Sequence, residues 1–261
     1  MNKKYKIVLM LLIVILTISS YFFIKEMAEN KKENEVYDEL QEIIQDSEKS
    51  TDDNSNMNNE ITTISDKTEN KQSNYNLDNI LKINSDVIGW IKINGTNIDY
   101  PIMQNGDYYL HRNIYKKYSS HGTPYLANHC NLKTSNNLII YGHHMNDNSM
   151  FSQLDNYKKY SFYQNHKYIQ LYTLENGKTI ENTYQIVIAF KTVAYSDKGF
   201  KYYNYSNFYD EQEFKFFIDN CRKLQFYNTG ESISYNDKLI TLSTCEYSQK
   251  NGRMVIVAKK I

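Results

Sequence analysis

Eighteen consecutive residues, Ile7 through Ile24, carry no charge, and Lys3, Lys4 and Lys6 stand directly before them. As a helix rising ~1.5 Å per residue, such a run spans ~27 Å, close to the ~30 Å hydrocarbon core of a bilayer. A cleaved signal peptide is the competing reading, but it wants a shorter apolar core and a small-residue cleavage site. The small pair near the end, Ser19 and Ser20, is followed by bulky Tyr21, Phe22 and Phe23. The run is therefore read as an uncleaved, single-pass transmembrane anchor over residues 7–24. Residues 1–6 become a cytoplasmic tail, and the lysine bias places everything after Lys25 outside the cell membrane.

Beyond the anchor the composition changes twice. Lys25 to Glu69 holds 14 acidic and 5 basic residues. Val36, Leu40, Ile43 and Ile44 fall at helical spacing in its first half. From Ser50 onward it is mostly Asn, Ser, Thr, Asp and Glu, with little to bury, which reads as a solvated spacer. Residues 25–74 are thus expected to be an acidic helix and a polar linker. Residues 75–261 form the folded domain, with 21 basic and 16 acidic residues. The whole chain is formally neutral, which argues against a general nucleic-acid binder. Its three cysteines (Cys130, Cys221, Cys245) are too few for a disulfide scaffold and match no zinc spacing.

The 25 tyrosines and 11 phenylalanines favour sheet, where large aromatic side chains fit a pleated, half-buried surface. Eight β-rich runs are visible: 87–93, 97–103, 122–127, 137–141, 167–174, 179–193, 238–244 and 253–259. Asn94-Gly95 and Asn176-Gly177 lie between apolar runs, a strong hairpin signal. The fold class expected is mainly β, a closed eight-stranded barrel with helices outside, since closure removes exposed sheet edges. Leu77, Ile80 and Leu81 suggest an opening helix. Phe214, Phe217, Ile218, Cys221 and Leu224 mark a longer one that would bury Cys221.

The chemistry concentrates in Thr241-Leu242-Ser243-Thr244-Cys245, followed by Arg253 on the last strand. In an extended run Thr241, Ser243 and Cys245 share one face. If residues 246–252 form a hairpin loop, Cys245 and Arg253 stand directly across from each other, Cβ atoms ~4.5–5.5 Å apart. A guanidinium this close stabilises a negative sulfur, and the thiolate is the nucleophile. It can also donate several N–H groups to a developing oxyanion. A nucleophilic cysteine further needs a proton donor for its leaving group, usually histidine. His143 and His144 follow Gly142, where the apolar run 138–141 breaks, and so sit at a strand mouth.

Tyr141-Gly142-His143-His144-Met145, Ser149-Met150-Phe151, Thr241-Leu242-Ser243-Thr244-Cys245 and Arg253 together resemble the sortases, specifically class B. The resemblance covers essentially all of residues 75–261. It implies a membrane-anchored cysteine transpeptidase that recognises a C-terminal LPxTG- or NPxTN-like sorting signal on secreted proteins. Such an enzyme cleaves after Thr and joins the new carboxyl to an amine of a cell wall precursor, or in some relatives a pilin lysine. On this chain it implies Cys245 as nucleophile, His143 as acid and base, Arg253 as oxyanion and substrate contact, and Ser243 as a substrate contact. Neither metal nor organic cofactor is implied. Two rival readings stand beside it. Asn128-His129-Cys130 is faintly similar to the motif of L,D-transpeptidase-like cysteine enzymes, with Cys130 as nucleophile. Alternatively the domain is a non-catalytic, anchored surface-binding module, with Cys245 a core residue.

Overall fold

The computed structural model describes residues 3–45, 75–195 and 197–261. The chain forms two compact units, residues 1–39 and 40–261. Helix α1 runs over Lys3–Gln45, and its apolar side chains between Ile7 and Ile24 are exposed. By length and composition it is able to cross a membrane. Its last turns belong with the second unit, where Leu40 and Ile44 are wholly buried and the Gln41 amide donates to the Asp99 carbonyl. The polar spacer expected after it lies outside the described residues.

The second unit is built on eight strands: β1 (Val87–Lys92), β2 (Asp99–Met103), β3 (Tyr125–Leu126), β4 (Asn137–Tyr141), β5 (Tyr168–Glu175), β6 (Lys178–Val193), β7 (Leu239–Glu246) and β8 (Gly252–Lys260). They close into a barrel in the order β1-β2-β3-β4-β7-β8-β6-β5, with β1 pairing β5 to seal it. All eight expected strands exist. The β5–β6 turn is Asn176-Gly177 with both residues at positive φ, a primed turn whose twist matches its strands. The expected strand over 122–127 is reduced to two residues. Gly122 there is left-handed, and a Cβ on it would strike the Leu110 and Tyr109 carbonyls, so the chain bends where β pairing would otherwise continue.

Among the described residues three further α-helices lie outside the barrel: α2 (Leu77–Ile83), α3 (Tyr160–Asn165) and α4 (Glu211–Leu224). Asp210 caps α4 by accepting from the Glu213 amide, and Glu213 reaches back to the Tyr209 amide, a reciprocal cap. The buried stripe of α4 is Phe214, Phe217, Ile218 and Cys221, packed with Phe190, Val255 and Val257 of the barrel wall. Leu224, expected on that stripe, is 39% exposed because the helix ends there. Burying each large apolar side chain contributes about 1.5–3 kcal/mol, so this cluster anchors β6 and β8 from outside.

Candidate active site

Strand register decides which side chains meet. β7 and β8 are antiparallel with Cys245 directly opposite Arg253 and a loop over residues 247–251. The other neighbour of β7 is β4, which runs parallel to it with Tyr141 level with Ser243. Beyond this last rung the two chains carry His143 and Cys245 into one cavity. The sequence contained both segments, but only this parallel pairing places them side by side.

Gly142 makes the exit from β4 possible. Its amide still donates to the Ser243 carbonyl, extending the parallel ladder one step. A Cβ there would come within 2.6 Å of the Phe151 ring, which packs under the turn. The Phe151 amide then donates to the His143 carbonyl and fixes the backbone on the far side.

His143, Ser243, Cys245 and Arg253 all line one cavity of about 280 Å³, together with Leu110, Tyr125, Tyr141, Tyr195 and Tyr202. The His143 Nε2 lies 2.7 Å from the Leu110 carbonyl oxygen. A carbonyl only accepts, so Nε2 carries the proton and Nδ1 is left to gain and lose one. Burial pushes the His143 pKa below the usual imidazole value, against the Leu110 carbonyl, and a proton on His111 or His121 would push the same way as burial. His144 is turned elsewhere. Its Nδ1 meets the Cys245 carbonyl at 3.0 Å and its ring packs edge-on against Tyr247.

Cys245 is half-buried, a free thiol open to the cavity. Arg253 is held by its own strand, Nη1 donating to the Gly252 carbonyl at 2.8 Å, with its guanidinium over the Tyr195 ring. Ser243 is buried and its hydroxyl is paired to the Tyr202 hydroxyl at 2.6 Å. A substrate contact through Ser243 would therefore share a hydroxyl already engaged. Thr241, on the same face, bonds the Asn137 amide oxygen and ties β7 to β4.

The cavity wall was not visible in the sequence. Burial raises the Tyr125 phenol to about 12 and pushes Tyr141 and Tyr202 up as well, so these stay neutral hydroxyls. Their signal was the tyrosine excess alone, which could not say which of 25 would converge. Also unforeseen is the brace behind Cys245. Lys158 reaches Glu246 at 2.8 Å, and Ser248 donates to the other carboxylate oxygen through both its amide and its hydroxyl. That brace fixes the hairpin loop next to the thiol.

The other cysteines differ. Cys130 is buried, its sulfur between the Asn137 carbonyl and the Ile139 amide, and burial pushes its thiol up. This is a poor nucleophile, and the L,D-transpeptidase-like reading falls with it. Cys221 is wholly buried, and both are free thiols.

A closed eight-stranded barrel with cysteine, arginine and histidine at its mouth defines a class of enzyme. The Sortase domain family model matches residues 91–261, and the chain belongs to the sortase family of cysteine transpeptidases. Within that family it falls in class B. It is 32% identical to Sortase B of Staphylococcus aureus over 267 residues, covering all of this chain and 98% of that protein. It is 34% identical to Sortase B of Listeria monocytogenes over 191 residues, 71% of this chain and 74% of that one. The solved Staphylococcus aureus sortase B–substrate complex superposes with a TM-score of 0.71 at 30% identity, covering 90% of this chain and 98% of the other. The binding-module alternative is thereby overturned.

Proposed function

We propose that the protein is a membrane-anchored sortase that cleaves an LPxTG- or NPxTN-like sorting signal after Thr and transfers the acyl group to an amine of a cell wall precursor. The observation that carries the reading is the shared cavity of Cys245, Arg253 and His143. Support for a peptide substrate comes from the related sortase B solved as a substrate complex. The apolar part of α1 supports an anchor with its lysines inside and the barrel outside.

In this reading the Cys245 thiolate attacks the threonine carbonyl carbon. The carbonyl electron pair moves to oxygen, and the Arg253 N–H groups stabilise that oxyanion. The C–N bond breaks as Nδ1 of protonated His143 gives its proton to the leaving amine, leaving a thioester on Cys245. The acceptor amine then attacks the thioester and loses its proton to the same Nδ1. Thiolate leaves, and an amide replaces the bond that was cut. Ser243, through Tyr202, shapes the wall beside the reacting carbonyl.

The test is incubation of the full-length protein in detergent with sorting-signal peptides and short amine acceptors, followed by mass analysis. The expected product is the N-terminal fragment ending in Thr joined to the amine. Hydrolysis at another bond, or no cleavage of either motif, would contradict the assignment.

A further inference from the structure

The 3-10 turn Tyr108–His111 meets His143 twice. The Leu110 carbonyl accepts the hydrogen bond from Nε2–H, and His111 lays its ring against the imidazole, centroids 5.5 Å apart and planes inclined by 28°. Tyr118 also stacks on His111, at 6.5 Å and 25°. His111 is exposed and Tyr118 is 79% exposed, so burial alone does not explain this ladder of three rings.

The other charged or titratable groups around His143 are accounted for differently. His121 is wholly buried and its Nε2 meets the Asp147 carboxylate at 3.1 Å, so a proton there is offset by that charge. Across the cavity stand Cys245 and Arg253, and along its wall the phenols of Tyr125 and Tyr141. Beside His111, the Arg112 guanidinium is turned onto the Tyr108 ring, and Lys116 pairs with Asp86. Among the described residues, no carboxylate pairs with His111.

Building on the sortase reading above, we propose that His111 is a positioning residue that holds the His143 ring by stacking and, when it carries a proton, opposes protonation of His143. With the rings this close, a proton on one imidazole makes a proton on the other less favourable. The downward push of His111 on His143 has that sign. A neighbour that loosens the hold of His143 on its proton favours release to the leaving amine.

Full-length protein in detergent micelles, labelled with 13C-histidine, is titrated by NMR as wild type, His111→Phe and His111→Gln. Both variants remove the neighbouring charge, so both should raise the His143 midpoint by about half a pH unit or more. Phenylalanine keeps a ring in the stack and should lose about threefold in peptide turnover, whereas glutamine frees the imidazole and should lose about tenfold or more. Unchanged midpoints in both variants would overturn the proposal. A shift in His111→Gln alone would assign the effect to lost packing and overturn the charge coupling, and equal turnover in the two variants would overturn the holding role. The titration needs no substrate. A wild type that cleaves no sorting peptide would sink the sortase reading, while the coupling would stand or fall on the midpoints.

Discussion

The aromatic cluster beneath α4 and the cavity at the ends of β4, β7 and β8 are built on shared strands, yet they treat a cysteine in opposite ways. Under α4, Cys221 is sealed among Phe214, Phe217 and Phe190, and burial pushes its thiol well above the ordinary value. At the mouth, Cys245 is half-buried and faces a guanidinium across one rung of the β7–β8 ladder. Tyr202 joins the two regions: its ring packs in the cluster, and its hydroxyl meets Ser243 in the cavity wall. The difference teaches that a thiol opens to solvent here where the β4–β7 pairing ends, whereas stability comes from where strands stay covered. Changes at the mouth should cost activity and little stability, and changes under α4 the reverse.

The largest separation is expected at the paired histidines. His143→Ala should lower turnover by about 10²–10⁴-fold, because in the proposed reaction both proton transfers use that ring. His144→Ala should stay within about tenfold, since it removes a hydrogen bond to the Cys245 carbonyl rather than the acid–base group. Single-turnover acylation and amine-dependent deacylation, measured for each, check this. An inactive His144→Ala with an active His143→Ala would move the role one residue along.

Phe217→Ala tests the sealed region. The ring is wholly buried, and its loss should destabilise the fold by about 3–5 kcal/mol in urea denaturation. Turnover per folded molecule should hold. A matching drop in turnover would mean that the two regions are coupled more tightly than through Tyr202.

Arg253→Lys should lose about 10–100-fold, since a point charge does not reproduce the planar fork that stabilises an oxyanion. Near-wild-type turnover in the lysine variant would reduce its role to charge pairing with the sulfur.

The smallest effect is a pH dependence of stability at the brace behind Cys245. Burial alone would raise the Glu246 carboxyl, but hydrogen bonds from Lys158 and Ser248 more than offset it and hold the pKa below the ordinary 4.5. A carboxylate lowered on folding contributes stability above its unfolded pKa and loses it as pH falls through the folded value. Urea midpoints of wild type and Glu246→Gln should therefore differ at pH 7 and converge near pH 3. A constant gap across that range would place the effect in packing rather than charge.

Much of the barrel was legible because its strands are short runs rich in β-branched and aromatic residues and Asn-Gly marks two of its corners. The stripe on α4 was legible from its helical period, with Cys221 correctly placed inside it. What periodicity could not carry were the parallel pairings, β2 with β3 and β4 with β7. These join segments far apart in sequence, and no turn residue marks them. The facing of Cys245 and Arg253 was legible because a hairpin is local. The neighbourhood of His143, from Leu110 and His111 to the tyrosine wall, was not, because it assembles from short turns and strand ends far apart in sequence. The short β3 and the exposed Leu224 show the same limit at element ends, where backbone bending and solvent decide.

The most direct test of an activated thiol at the barrel mouth is capture of the acyl-enzyme. Full-length protein mixed with a sorting-signal peptide, without amine and quenched in acid, is measured by intact mass and then by peptide mapping. The expected result is a mass increase equal to the acyl fragment, located on Cys245, absent in Cys245→Ala and discharged by added amine. An adduct on Cys130 or Cys221, or one that persists in Cys245→Ala, would contradict it.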